Sequence, residues 1–298
     1  MNAQLHAQPA HADDRTRAIA RGIRVVEDPV PMVNERSRKA AATMARGRWA
    51  EHDPFLSMMN DRFTRGVFAP HPHRGFETLT YVLDGQLRHR DSRGGAGVLQ
   101  AGDLQWMTAG SGILHDEQPA DDGSVHVLQL WLNLPAASKL ATPRYQDLRG
   151  AQMPVRREPG VEARVFSGLS GEVRGPALNH APVTLVDFRI EPGQAMEQTV
   201  AAGDNGFAYV VSGQARIGRE QTTVRAGQSA WLERGVNGDR AETTLRIEAD
   251  ADVPLHAILF VGTPLDEPVV AHGPFVMNSQ QQIMQAIADY NDGKFGQM

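Results

Sequence analysis

Two short segments of the chain carry the side chains best suited to hold a metal ion. His71 and His73 flank a proline, and His115 and Glu117 flank an aspartate. Residues i and i+2 of an extended strand point to the same face, so each segment presents two ligands together. Neighbouring strands would then supply three imidazoles and one carboxylate, which leaves coordination positions for water, dioxygen or a substrate. The alternative is that these four are unrelated polar residues.

Other polar side chains near these segments are weaker candidates. Glu77 follows His73 by four residues, and is either an alternative ligand or an acceptor that orients a histidine. Asp116 is expected to point away from the ion. His89 lies beside a predicted hairpin turn and His126 alternates with apolar residues, so hydrogen-bonding roles are favoured for both. The remaining histidines are isolated and are interpreted as structural or surface residues: His6, His11, His52, His180, His256 and His272.

The composition limits the chemistry that is available. The 298 residues contain no cysteine, which excludes disulfides, thiolate metal sites and cysteine nucleophiles. Thirty cationic and 35 anionic residues give a net charge of −5, which argues against a nucleic-acid binder. A basic run at 35–48 is interpreted as a solvated face. No apolar run resembles a signal peptide or a membrane span, so a cytoplasmic location and no membrane partner are expected.

The elements that must position these residues have the composition of short strands. FETLTYVL (76–83) is rich in β-branched and aromatic residues and precedes Asp84-Gly85, a hairpin signal. SVHVLQLWLNL (124–134) is apolar on both faces, which predicts a buried strand. After residue 160 the same pattern resumes, with turn signals about every 8–12 residues, as in β-sandwiches and barrels.

Two stretches of the chain resemble each other, at 80–107 and 208–232. The matched pairs are Tyr81 with Tyr209, Gly85 with Gly213, Gly102 with Gly227, and Trp106 with Trp231. This similarity indicates an internal duplication of one β unit. The second copy places Thr199, Ala201 and Arg240 opposite the three histidines of the first, so one metal site is expected, in the first copy.

The predicted organisation is two β domains with a helical end. The divisions are an N-terminal metal-binding domain (1–135, with 1–30 partly disordered), a connection rich in proline and alanine (136–160) and a metal-free C-terminal domain (161–298). A terminal helix is predicted because Ser279 can cap it, with Gln282 at the capping-box distance. An apolar stripe that includes Ile283 follows, and Gly293 is expected to end the helix.

The motifs around these residues resemble those of the pirin family, within the cupin superfamily. They are HPHRGFETLTYVLDG (71–85), HRDSRG (89–94), GDLQWMTAGSGILHDEQP (102–119), LQLWLNLPA (128–136), PRYQDL (143–148) and EPVVAHGPFVMN (267–278). The resemblance implies an all-β bicupin fold, in which two β-barrel or jelly-roll domains lie face to face and only the first holds metal. It also implies an iron ion held by His71, His73, His115 and Glu117, with Glu117 in place of Glu77 as the carboxylate ligand.

Members of this family are described as quercetin 2,3-dioxygenases, or as metal-dependent partners of transcription factors or metabolic enzymes. The leading hypothesis is therefore an Fe(2+)-dependent dioxygenase that opens a flavonol or a related enediol aromatic, with Glu117 as ligand and transient general base. One alternative is a non-enzymatic iron-dependent redox sensor that binds a protein partner. Another is a binding protein whose metal is structural. A monomer is expected, because the duplication can satisfy the pairing that single-domain cupins obtain by dimerising.

Overall fold

The computed structural model describes residues 19–45, 47–235 and 242–298. The tail histidines His6 and His11, Arg240, and the part of the expected disorder that falls on residues 1–18 lie outside these ranges. Within them, the helical elements are α1 (Trp49–His52), α2 (Gln280–Asn291) and the 3-10 turns Ala136–Ser138 and Gly150–Gln152. In the described ranges, neither α-helix has the length and apolar content needed to cross a membrane.

Strands make up most of the remaining structure, as the composition predicts. Up to residue 148 they are β1 (Ile19–Ala20), β2 (Ile23–Glu27), β3 (Val30–Asn34), β4 (Arg38–Ala42), β5 (Phe55–Thr64), β6 (His71–His73), β7 (Phe76–Asp84), β8 (Gln86–Asp91), β9 (Ala96–Gln100), β10 (Leu104–Thr108), β11 (Ile113–Pro119), β12 (Ser124–Asn133) and β13 (Arg144–Leu148). Beyond it they are β14 (Val155–Glu158), β15 (Val161–Ser167), β16 (Leu169–Ser170), β17 (Val173–Arg174), β18 (Val183–Ile190), β19 (Ala195–Ala201), β20 (Asn205–Ser212), β21 (Gln214–Ile217), β22 (Thr222–Arg225), β23 (Ser229–Leu232), β24 (Glu242–Ala249), β25 (Leu255–Gly262), β26 (Val270–His272) and β27 (Phe275–Met277).

The first β domain consists of two sheets. A seven-stranded sheet in the order β13-β10-β7-β12-β5-β4-β3 packs against a four-stranded sheet in the order β6-β11-β8-β9. Strand β7 shows how the alternation of side chains divides the two faces. Val82 packs inside this domain against Leu87 and Leu99 of the smaller sheet, whereas Leu79 and Tyr81 belong to a different cluster on the outer face.

The second β domain repeats this plan with a different interior. Its seven-stranded sheet has the order β14-β15-β18-β25-β20-β23-β2, and β1, β24, β21, β22 and β19 form the opposing sheet. The interior between them is almost wholly aliphatic, with members such as Val186, Leu245 and Leu259 at 0% exposure. Fully burying a side chain of this size contributes about 1.5–3 kcal/mol, so this interior stabilises the fold and offers no metal ligands.

The two seven-stranded sheets lie face to face. Leu79 and Trp106 of the first domain share one buried cluster with Phe207 and Trp231 of the second. Trp106 and Trp231 are the tryptophans matched by the internal duplication, and both have 0% exposure. The predicted all-β bicupin architecture is thus confirmed.

The N-terminal strands do not follow the predicted division at residue 135. Strand β2 pairs with β23, and β1 pairs with β24, so residues 19–27 extend both sheets of the second domain. Only from β3 onward does the chain join the first domain, where β3 pairs with β4. The prediction grouped residues 1–135 together because sequence order carries no information about which sheet edge a distant strand will extend.

The connection at 136–160 is more ordered than its composition indicates. Strand β13 completes the first large sheet by pairing with β10, and β14 begins the second by pairing with β15. Both strands are short edge strands, and the chain changes domain between them.

The C-terminal end of the chain returns to the first domain. We call residues 270–296 the C-terminal strap; it comprises the β26–β27 hairpin, α2 and Phe295. Arg74 donates to Asp289 of α2 at 2.8 Å and lies over the Phe295 ring at 4.7 Å. The predicted helix start is confirmed, because the Ser279 side chain accepts from the Gln282 backbone N–H at 3.3 Å.

Candidate metal centre

Strand pairing brings the two predicted ligand segments together. β6 and β11 are antiparallel neighbours, and His71 lies directly opposite His115. The Nε2 atoms of these two histidines are 2.9 Å apart. His73, two residues along β6, points to the same side, and one ring nitrogen from each of the three histidines lies within 4.8 Å of the others.

Three buried ring nitrogens of this cluster have no hydrogen-bond partner in the protein. His73 is 3% exposed, and neither of its ring nitrogens makes a hydrogen bond. His115 is fully buried, with its Nδ1 also unpaired. Buried polar atoms are normally satisfied by protein, water or an ion. The cluster therefore fits a metal ion.

Burial also keeps these rings in the form that binds metals. Burial and the charge of His71 lower the pKa of His73 to about 3. Burial, reinforced by the neighbouring histidines, lowers the pKa of His115 well below its ordinary value. Both rings are therefore neutral at physiological pH, and only a neutral imidazole has a lone pair to offer a cation.

Glu117 lies beside the histidines and is held by two hydrogen bonds. Its Oε1 accepts from the Thr80 hydroxyl at 3.2 Å, and its Oε2 accepts from the Gln129 side-chain amide at 2.8 Å. The carboxylate is 5% exposed and shares a second potential ligand group with His115 and His89. Asp116, as expected, points elsewhere and accepts from Arg90 at 3.0 Å.

Glu77 takes neither of the roles considered for it from the sequence. It shares the outer face of β7 with Leu79 and Tyr81, and its Oε1 accepts from the Thr108 hydroxyl at 2.6 Å. Burial raises the pKa of its carboxyl group. Because a turn separates β6 from β7, the four-residue spacing from His73 does not bring the two side chains to one face.

Among the other histidines, His89 differs from His52 and His126 in its surroundings. His126 lies near Asn60 Oδ1 at 2.6 Å and Arg62 at 3.2 Å, as expected for a hydrogen-bonded role. His52 stacks on Trp231, with ring centroids 4.1 Å apart. His89 is the exception, since it has the expected polar contact with Asp91, at 3.4 Å, but also lies with the ligand residues.

The second domain has no comparable cluster among its described residues. The inward side chains of β19 are Met196, Gln198 and Val200, whereas Thr199 and Ala201 face outward. The residues matched with His71 and His73 therefore do not face the interior of the second domain, because side chains alternate between the two faces of a strand.

A large cavity opens beside the histidine cluster. It has a volume of about 800 Å³, and His71, His73 and Glu117 line it. Its walls are mainly apolar, and four aromatic side chains contribute to them: Trp49, Phe63, Phe68 and Trp131. This size and this lining are typical of sites for small organic ligands, which occupy about 300–1,000 Å³.

Several residues of this cavity were not singled out in the sequence. Gln129 and Trp131 occupy inward positions of β12. The alternation of side chains along that strand could have indicated them. Arg38, from the basic run interpreted as a solvated face, lines the cavity and donates to Asp61 at 3.0 Å. Gly273 and Pro274 reach the cavity from the C-terminal strap, and no local signal could have placed them there.

The fold and the site define a bicupin with a histidine-rich pocket suited to a metal ion in its first domain only, within the described part of the chain. The chain belongs to the pirin family. The Pirin family model matches residues 37–132, and the Pirin C-terminal cupin domain model matches residues 185–296. The resemblance that the sequence motifs indicated is therefore confirmed.

Individual relatives agree with this assignment. Human pirin is 38% identical over 248 residues, which cover 82% of this chain and 83% of the human protein. A candidate quercetin 2,3-dioxygenase of Pseudomonas aeruginosa is 41% identical over 238 residues, 78% of this chain and 79% of its own. The crystal structure of a quercetin 2,3-dioxygenase from Acinetobacter baumannii has a TM-score of 0.81 at 29% identity, and covers 93% of this chain and 98% of that one.

Proposed function

We propose that this protein is an iron-dependent dioxygenase that opens flavonols or related enediol aromatics. The observation that carries the proposal is the contact between the histidine cluster and the aromatic-lined cavity, because an ion held by the cluster would lie beside the space that a planar substrate can enter. The relatives named for quercetin 2,3-dioxygenase activity support the same substrate class.

Four residues are proposed to hold the ion: His71, His73, His115 and Glu117. Three imidazoles and one carboxylate suit a divalent transition metal and leave positions open for exogenous ligands. When bound, iron(II) supplies Lewis-acid polarisation of a substrate oxygen and one-electron chemistry toward dioxygen.

Glu117 is proposed to take up the proton of the substrate hydroxyl. Its carboxylate lines the cavity, so a hydroxyl of a bound flavonol can reach it. The hydrogen bonds from Thr80 and Gln129 hold both of its oxygens, and thereby orient the carboxylate before the substrate enters.

The aromatic walls are proposed to orient the substrate ring. Trp131 lies edge-on to His73, with ring centroids 5.3 Å apart, and packs against Phe76 at 4.4 Å. Phe68, on the same cavity, is covered by the Arg38 guanidinium at 4.7 Å. A planar aromatic substrate can stack on such walls and exclude water from the centre.

Oxygen uptake tests this proposal directly. The metal-free protein is reconstituted with iron(II), its iron content is measured, and oxygen consumption and loss of the flavonol absorbance are followed with quercetin. We expect equimolar consumption of oxygen and quercetin that depends on the metal. H126Q is the matched control, because His126 is a hydrogen-bonded histidine outside the centre, and this variant should retain turnover.

The same assay defines the result that would contradict the proposed dioxygenase activity. If fully metallated protein turns over neither quercetin nor simpler enediol aromatics, the enzyme proposal is wrong. The redox-sensing alternative would then predict a partner affinity that differs between the ferrous and ferric proteins.

A further inference from the structure

His89 is buried beside the proposed metal centre without a role in it. The ring is 0% exposed and lies on β8 directly opposite Glu117 of β11. One ligand atom each from His89, His115 and Glu117 lies within 4.8 Å of the others. These three side chains therefore form a second triangle on the inward face of the small sheet, adjacent to the triangle of His71, His73 and His115.

The contacts of His89 leave one of its nitrogens free to bind a cation. Its Nε2 lies 3.4 Å from a carboxylate oxygen of Asp91, and its Nδ1 is buried without a hydrogen bond. A proton shared with Asp91 places the lone pair on Nδ1. A histidine whose far nitrogen is held by a carboxylate is the usual arrangement of a metal ligand in proteins.

The surroundings of His89 hold it rigidly in place. Its ring stacks on Tyr145, with ring centroids 4.5 Å apart and an angle of 12° between the ring planes. Asp91 in turn accepts from the backbone N–H groups of Arg93 and Gly95 at 2.7 and 3.0 Å. The absence of a side chain at Gly97, opposite His89 on β9, leaves room for Tyr145, since a Cβ there would lie 2.9 Å from its hydroxyl.

We propose that His89, His115 and Glu117 form an inner metal seat beside the outer one at His71 and His73. Two histidines and one carboxylate make the ligand set that non-haem iron(II) proteins use. The two seats share His115 and Glu117, so they compete for one ion. This inference rests on the proposal that the centre binds a divalent transition metal.

The inner seat differs from the outer one in its access to the substrate. His71 and His73 line the cavity, whereas His89 and His115 do not. An ion at the inner seat would face the cavity only through Glu117. Movement of the ion from one seat to the other would therefore change its access to a molecule bound in the cavity.

Weakening the outer seat is the way to reveal the inner one. Metal-free H71A and H71A/H89Q proteins are titrated with Co(II) by calorimetry, and the visible spectrum of the bound ion is recorded. We expect H71A to bind one ion, and the added H89Q change to weaken that binding at least tenfold and to alter the spectrum. H71A/H126Q is the matched control and should behave like H71A.

A second measurement keeps His89 intact. In H71A protein with 15N-labelled histidine, Zn(II) should shift the ring-nitrogen resonances of His89. An unchanged His89 resonance in zinc-loaded protein, or equal cobalt affinities of H71A and H71A/H89Q, would overturn the inner seat alone. Wild-type protein that binds no divalent ion would instead overturn the metal centre as a whole.

Discussion

At the scale of single residues, the face on which a carboxylate lies decides its role. Glu117 and Glu77 are both buried acids close in sequence or space to the histidines, at 5% and 0% exposure. Glu117 faces the cavity with the histidines, whereas Glu77 faces the second domain and is held by Thr108. The motif resemblance selected Glu117, which faces the cavity in the structure, whereas the four-residue spacing could not exclude Glu77.

The two glutamates therefore predict opposite results for metal binding. E117Q should weaken the affinity for a divalent ion at least about 10-fold, because changing even a residue that only orients a metal ligand typically costs 10–100-fold. E77Q should leave it unchanged, because that carboxylate does not face the ion. Chelator competition with the purified variants measures both. A loss of metal affinity in E77Q as large as that in E117Q would contradict the proposal that only Glu117 faces the ion.

At the scale of elements, the C-terminal strap completes the first domain. Lys139 anchors it, since its buried Nζ donates to Val276 O of the strap at 3.0 Å and to Gly75 O at 2.7 Å. Phe295 packs against Gly112, at the start of β11. The terminal helix could be predicted from its cap and apolar stripe, but its docking site could not, because its partners lie about 200 residues earlier in the chain.

Lys139 predicts a pH dependence of stability. Burial lowers its pKa to about 7, whereas in the unfolded chain it is about 10.4. Between these values the unfolded chain binds more protons, so the free energy of unfolding should rise with pH, by at most about 1.4 kcal/mol per unit. Urea unfolding at pH 7 and pH 9.5 should show this rise in wild type and in the exposed-lysine control K39M. K139M should lack this rise. An undiminished rise in K139M would show that Lys139 does not cause the pH dependence.

Gly112 tests the packing of the strap. Its φ is +128°, and an added Cβ would lie 2.5 Å from the Phe295 ring. Gly94 provides the control, because its φ is +86° and nothing lies within 4 Å of an added Cβ. Both alanine variants incur backbone strain of about 1–3 kcal/mol, but only G112A must also displace Phe295. Thermal unfolding should show a clearly lower Tm for G112A; equal losses would mean that the strap does not depend on this contact.

At the scale of the whole molecule, the two domains are joined by a buried interface. Each domain contributes one tyrosine that forms a hydrogen bond with a residue of the other domain. Tyr81 of the first domain donates to Asp187 of the second at 2.8 Å, and Tyr209 of the second accepts from Asn60 of the first at 2.8 Å. These tyrosines are matched by the internal duplication. Burial disfavours the Asp187 carboxylate, but the hydrogen bond from His256 and nearby charges hold its pKa below the ordinary value.

The related tyrosines should therefore differ in energetic importance. Y81F leaves a buried carboxylate with one donor fewer, and hydrogen bonds to charged groups contribute about 1.5–3 kcal/mol. Y209F removes an acceptor from a neutral amide, for which about 0.5–1.5 kcal/mol is usual. Denaturant unfolding of both variants measures the difference. A larger loss of unfolding free energy in Y209F than in Y81F would show that the charge of Asp187 does not strengthen its contact with Tyr81.

The sequence by itself determined the ligand types, the strand character of both halves, their duplication and the capped terminal helix, because each depends on composition or on contacts within a few residues. Only the tertiary structure decided which strands meet. It paired β6 with β11, placed His89 beside Glu117, turned Glu77 away, and joined residues 19–27 to the second domain. Register and sheet order depend on the packing of distant segments, and a shift of one residue reverses every face. That is why the candidate ligands could be selected from the sequence but their full surroundings could not.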